Sequence, residues 1–227
     1  MPASIREFAD NAADPKVRGY LHVPDSPNGD ALVLSHGAGS NAQSPLLIAV
    51  AETFSAAGYT VLRCDLPYRQ TRSFGPPGPG DAARDRSGLK NALAAMKKIV
   101  PGRLFLGGHS YGGRQSSMLC ADPAENAEPV SALLLLSYPL HPPRKPEQQR
   151  TQHLPDLRTP AVFVHGTRDP FGTIAELEQA LKMIPAKTKL LTVEAAGHDL
   201  GFKGKARQED LPGQIFSEFT KFCALSS

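Results

Sequence analysis

Gly108-His109-Ser110-Tyr111-Gly112 sets a serine between two glycines, directly after an apolar strand-like run and directly before a helix-like one. That arrangement suits a nucleophile. A tight strand-to-helix turn exposes the hydroxyl, the glycines keep the turn free of clashes, and the helix N-terminus aims backbone N–H groups at developing negative charge. Such a pentapeptide recurs by chance in about one chain in ten at this length and ordinary glycine content, so its placement carries more weight than the match itself. A serine hydroxyl needs a base, and the base needs an orienting carboxylate. Both follow downstream. Asp169 stands in Gly166-Thr-Arg-Asp169-Pro, 59 residues after Ser110, and His198 in Ala196-Gly-His198-Asp, 29 residues after Asp169. Each lies just past the end of its own strand-like run, so the three side chains are expected to converge as nucleophile, orienting acid and base. Taken singly, Asp169 also suits a helix start and His198 a polar turn. Order and placement together favour the joint assignment.

A carbonyl under attack also needs donors for its oxygen. His36-Gly-Ala-Gly39 follows the apolar run Ala31–Ser35, and the backbone N–H groups of Ala38 and Tyr111 are the expected pair. His36 reads as a brace for that loop rather than a reacting group. For substrate contact the candidates are Arg69, Phe74, Tyr138 and Phe171, the aromatic ones as walls of an acyl pocket. Arg69, Arg72, Arg144 and Lys145 either draw in an anionic substrate or are solvated loop charges, and solvated charge is the commoner state. His22, His141, His153 and His165 form no ligand cluster by spacing, so no metal site and no cofactor is expected.

The elements that must hold these residues alternate along the chain. Strand-like runs at Ala31–Ser35, Thr60–Cys64, Arg103–Gly107, Val130–Leu136, Ala161–His165 and Lys189–Val193 are separated by helical patterns at Ser44–Ala57, Ala82–Val100, Arg114–Ala121, Ile174–Met183 and Gln208–Ala224. The first helical pattern stops at Gly58, and Asp65–Gly80 reads as a loop rich in proline, glycine and arginine. Apolar strands alternating with amphipathic helices predict an α/β fold, a mostly parallel sheet covered on both faces. In such sheets chemistry sits beyond the carboxyl ends of the strands, where Ser110, Asp169 and His198 fall. Ser137–Thr159 is a 23-residue, proline-rich interval, enough for little or no cap.

The 227 residues, 41% hydrophobic and 21% charged, suit one globular domain spanning 1–227. Net charge is only +3, and no Lys/Arg run exceeds two residues, so no nucleic-acid role is expected. Cys64, Cys120 and Cys223 are odd in number and far apart; Cys64 and Cys120 sit in apolar patterns, which suits a reducing compartment. The start MPASIREFAD has no apolar core of a secretory signal, and the apolar run Ala132–Leu136 is too short to cross a bilayer. A cytoplasmic protein without membrane association is expected.

Five stretches carry a family resemblance: Ser35-His-Gly-Ala-Gly39, Arg63-Cys-Asp-Leu-Pro-Tyr68, Gly107-Gly-His-Ser-Tyr-Gly-Gly-Arg114, Tyr138-Pro-Leu-His-Pro-Pro143 and His165-Gly-Thr-Arg-Asp-Pro-Phe-Gly172. Over residues 17–225 the chain resembles a branch of the α/β-hydrolase superfamily. That branch holds a testis-expressed hydrolase-like protein, the hydrolase-like domain of nonspecific-lethal complex subunit 3, and bacterial relatives; the likeness to dienelactone hydrolases, which use cysteine, is broader and weaker. His109 departs from the branch, where lysine is expected. The resemblance implies an α/β-hydrolase fold with Ser110, Asp169 and His198 as its triad, and no particular substrate. A serine hydrolase acting on a small-molecule ester is the expected function. The alternatives are a non-catalytic interaction module, since one relative belongs to a chromatin complex, and a serine peptidase, against which stands the lack of a gating domain.

Overall fold

The computed structural model describes residues 4–125, 128–202 and 210–225. Its centre is an eight-stranded sheet in the order β1-β2-β4-β3-β5-β6-β7-β8. β1 (Ser4–Asp10) and β2 (Val17–Val23) form an antiparallel hairpin, and β2 joins β4 (Thr60–Cys64) antiparallel. From β4 onward all pairings are parallel: β3 (Ala31–Ser35), β5 (Leu104–His109), β6 (Val130–Leu136), β7 (Ala161–Gly166) and β8 (Thr188–Val193).

Side chains alternate across this sheet, which makes two cores from one set of strands. Val33, Leu106, Leu133 and Leu135 face one side, where α3 (Asp81–Lys97), α4 (Tyr111–Ala121) and α5 (Ile174–Leu181) bury Leu89, Leu93, Met96, Leu119 and Leu177. Leu32, Leu34, Leu134 and Leu136 face the other, against Val50 and Phe54 of α1 (Pro45–Ala56) and Ile215 and Phe219 of α6 (Leu211–Ala224). Element ends follow local chemistry. α1 begins at Pro45, whose missing N–H costs nothing in a first turn, and stops before Gly58 at φ 95°. α5 opens on a capping box between Thr173 and Glu176.

Two expectations need correction, and one element was not expected. The hairpin β1–β2 had no place in the sequence pattern; β1 is a mostly exposed edge strand without apolar alternation. The stretch after β4 is not all loop, because Pro67–Thr71 forms a five-residue helix, α2. The closing helix begins at Leu211, and residues 208–209 of its expected start lie outside the described residues. Residues 137–159 contain a 3-10 turn at Leu154–Asp156 and bury Tyr138, Leu140, Leu154 and Leu157 in the core beside α3 and α4.

Candidate active site

β5 ends at His109, and Ser110 turns the chain into α4 with φ 52° and ψ −116°. A non-glycine residue at positive φ is strained and persists only where its surroundings fix it. Here the Ser110 N–H donates to the Leu136 carbonyl at 2.8 Å and the Gly112 N–H to the His36 carbonyl at 3.2 Å, tying the turn to the strands on both sides. A Cβ on Gly108 would stand 2.5 Å from the Ser35 carbonyl oxygen, and one on Gly112 would stand 2.5 Å from Ser35 Oγ. The turn closes against β3 only with glycine at both positions.

The Ser110 hydroxyl donates to His198 Nε2 at 2.8 Å, and His198 Nδ1–H donates to Asp169 Oδ2 at 2.8 Å. β5, β7 and β8 each deliver one of the three just beyond a carboxyl end. The Asp169 side chain is fully buried, and its Oδ1 accepts the Phe171 N–H at 2.9 Å. Phe171 stacks on the His198 ring, centroids 4.1 Å apart at 29°. His109 Nε2–H donates to the His198 carbonyl at 2.7 Å, so the residue before the serine holds the loop that carries His198. His165 lies behind the carboxylate, donating from Nε2 to the Gly172 carbonyl at 2.8 Å.

Ala38 lines a cavity together with Ser110, and Tyr111 is the first residue of α4, where helical N–H groups lack intrahelical partners. Neither the Ala38 nor the Tyr111 N–H donates to a loop or cap carbonyl among the described residues. His36 is buried beneath the loop: Nδ1–H donates to the Gly37 carbonyl at 2.9 Å, and Nε2 accepts the Leu66 N–H at 3.1 Å. Burial lowers its pKa, which keeps the ring neutral for that pair of bonds.

The cavity holds about 220 Å³. Pro45 and Leu46 at the start of α1, with Phe171 and Phe202, give it apolar walls, and His109 and Asp199 add polar ones. No residue of 137–159 lines it, so that interval covers the flank of the sheet instead of the cavity. A larger depression of about 680 Å³ near Arg86, Met118 and His153 lies elsewhere and contains none of the three converging residues.

Of the four residues expected to touch substrate, the structure brings only Phe171 to the cavity. Tyr138 is buried, with its hydroxyl donating to the Arg150 carbonyl at 2.7 Å. Arg69 is buried too, and its guanidinium is spent on the carbonyls of Ala38, Ser40, Arg72 and Gly75 at 2.7–3.1 Å. Phe74 is 84% exposed and does not line the cavity. Pro45, Leu46 and Phe202 were missed. The available signal was Ser44-Pro45, a helix start following directly on the glycine loop. Among the described residues no group of three or more His, Cys, Asp or Glu side chains is arranged to hold a metal ion, and no helix is long and apolar enough to cross a membrane.

Known proteins agree with this architecture. Over 92% or more of both chains, the fold is similar to those of several solved structures. A dienelactone hydrolase from Anabaena variabilis superposes with a TM-score of 0.73 at 20% identity, covering 98% of this chain and 97% of that one. XC6422 from Xanthomonas campestris, described as a member of the a/b serine hydrolases without lid, superposes with a TM-score of 0.69 at 15% identity, covering 98% and 95%. A 174-residue stretch, 73% of this chain, is 26% identical to part of the multifunctional-autoprocessing repeats-in-toxin protein of Vibrio cholerae serotype O1, and spans 3% of the toxin's length. Residues 28–223 match the family described as an alpha/beta hydrolase domain, and the chain belongs to that family.

Proposed function

We propose that this chain is a serine-dependent carboxylic ester hydrolase acting on small, soluble acyl esters through an acyl-enzyme. The observation that carries the proposal is the unbroken run of hydrogen bonds, 2.8 Å and 2.8 Å, from the strained Ser110 through His198 to the buried Asp169. In the proposed cycle Ser110 Oγ attacks the ester carbon while its proton passes to His198 Nε2. Asp169 holds the tautomer that presents Nε2 as acceptor and stabilises the imidazolium that forms. The Ala38 and Tyr111 N–H groups receive the oxyanion. Collapse of the tetrahedral intermediate expels the alcohol, which takes the proton from His198. Water then attacks the acyl carbon with His198 again as base, releasing the acid and restoring the Ser110 hydroxyl.

An apolar cavity of about 220 Å³ suits a short acyl chain. Residues 137–159 leave the cavity unlined, which suits soluble substrates, and the lidless serine hydrolase of Xanthomonas campestris offers a structural parallel. The proposed partner is therefore a small-molecule ester met in the cytoplasm, with no cofactor, nucleic acid or membrane taking part. A non-catalytic module would have no need of a serine at φ 52° beside an imidazole.

Hydrolysis of p-nitrophenyl acetate, butyrate and octanoate by the wild type and by Ser110→Ala tests the proposal, with circular dichroism confirming both folds. Turnover of the two short esters, weaker turnover of the octanoate, and loss of all three in the variant are expected. Equal activity in the variant, or none in a folded wild type, would overturn it. Dipeptide amides serve as the peptidase control and are expected to react more slowly than the esters.

A further inference from the structure

α3 carries a carboxylate in its buried stripe. Asp85 lies one turn before Leu89 and two before Leu93, and it is fully shielded from solvent. A buried carboxylate is costly unless its oxygens are hydrogen-bonded. Asp85 Oδ1 accepts the Tyr68 N–H at 3.0 Å, and Oδ2 accepts the Tyr111 hydroxyl at 2.7 Å. Burial raises its pKa, and the hydrogen bonds from Tyr111 and Tyr68 pull it back down.

Those two tyrosines lead to the two halves of the oxyanion cradle. Tyr111 follows the nucleophile, and its own N–H is one donor. Tyr68 sits in α2, and its one hydroxyl proton is shared between the carbonyls of Ala38 at 2.9 Å and, more weakly, Gly37 at 3.3 Å. A trans peptide sets each carbonyl antiparallel to the N–H that follows it, so pinning the Gly37 carbonyl fixes the direction of the Ala38 N–H. The Ser40 N–H, at 3.0 Å from the same carbonyl, works to the same end. The two tyrosine rings meet edge to face, centroids 5.9 Å apart at 89°, which couples the clamps by packing as well.

We propose that Asp85 is a positioning residue that keeps the Ala38 and Tyr111 donors in register through Tyr68 and Tyr111, a role that rests on the ester hydrolase reading above. Asp85 touches neither substrate nor Ser110. It acts on the shape of the cradle, so its removal shows in the step where the oxyanion forms and not in the capture of the ester.

The test is steady-state hydrolysis of p-nitrophenyl butyrate by wild type, Asp85→Ala, Asp85→Asn, Tyr111→Phe and Tyr68→Phe, with the inhibition constant of an aliphatic trifluoromethyl ketone measured for each. The ketone adds Ser110 to give a tetrahedral oxyanion, so it reads the cradle directly. Asp85→Ala is expected to lose about 30-fold or more in kcat with KM within about threefold, and ketone affinity is expected to fall in parallel. Asp85→Asn retains an acceptor for the Tyr68 N–H and a donor for the Tyr111 oxygen, and is expected to recover most of the activity. Tyr111→Phe and Tyr68→Phe each remove one clamp and are expected to fall between wild type and Asp85→Ala. They also keep the test decisive if Asp85→Ala does not fold. A folded Asp85→Ala with unchanged kcat and ketone affinity, or a loss confined to KM, would overturn the role of Asp85 while leaving the ester hydrolase intact. Unchanged kcat in both tyrosine variants would do the same. An inactive but folded wild type would instead overturn the hydrolase reading and Asp85's role with it.

Discussion

His198 commits one ring nitrogen to Asp169 and the other to Ser110, so the carboxylate decides which tautomer faces the serine hydroxyl. Asp169→Asn keeps the shape and lets the ring present the wrong tautomer; kcat for p-nitrophenyl acetate is expected to fall about 10³–10⁴-fold with KM little changed. Thiol chemistry should be silent by contrast. Burial pushes Cys64 and Cys120 up to about 12 and Cys223 up to about 11, so none offers thiolate near neutral pH. Iodoacetamide at pH 8 is expected to leave ester hydrolysis intact, with the unmodified mass as its check, while a fluorophosphonate abolishes activity by adding to Ser110. Single residues were legible to different degrees for a physical reason. Ser110, Asp169 and His198 follow strand ends, and strand ends of a parallel sheet share one edge. Tyr138 also follows a strand end, yet its ring turns into the core, and nothing in its sequence neighbours distinguishes the two directions. Asp85 left a signal that went unread: a carboxylate in register with Leu89 and Leu93 on a buried helix face.

At the scale of elements, the strand–turn–helix unit around Ser110 is held by close backbone approach, and that approach is testable. Gly112→Ala would set a Cβ 2.5 Å from Ser35 Oγ and 2.6 Å from the His36 carbonyl oxygen. Backbone must move to admit it, at a cost of about 1–3 kcal/mol typical of overpacking. Since Ser110 rides on the same turn, activity is expected to fall further than stability does, read from urea midpoints and butyrate turnover on the same sample. The parallel strands and long helices were legible because each buries a continuous or periodic apolar set. α2 was not, because five residues beginning with proline carry no periodicity, although its Pro67 marks a helix start. β1 was not either, since an edge strand exposed over most of its length needs no alternation. The short α2 matters out of proportion to its size, as Tyr68 and Arg69 both brace the Ala38 carbonyl from it.

For the molecule as a whole, buried imidazoles set how stability responds to acid. His22 and His153 are held down to about 4, in both cases first by burial and then by nearby arginines, Arg63 for His22 and Arg114 with Arg86 for His153. His36 is lowered in the same direction by burial. The folded chain keeps these rings neutral, while the unfolded chain takes up protons near the ordinary histidine value of about 6.5. For His22 and His153 the unfolded state therefore binds more protons between about 6.5 and 4, and unfolding free energy must fall as pH falls, by about 1.4 kcal/mol per pH unit for each of the two at its steepest; His36 acts in the same direction. Asp85 works the other way, because its raised pKa gives stability that is lost as pH rises through its folded value. Asp85 alone stands against three imidazoles, and the Glu176 carboxyl, held below its ordinary value by hydrogen bonds from Thr173, acts with the histidines, so stability falls as pH falls. Urea midpoints at pH 7.0, 5.5 and 4.5 are expected to decline steadily. His22→Gln, which can still accept the Arg63 Nε–H that His22 Nε2 accepts at 2.8 Å, is expected to flatten the decline by about one proton's share. A wild-type midpoint that holds constant from pH 7.0 to 4.5 would mean that these rings charge without opening the fold, contrary to their burial between charged neighbours.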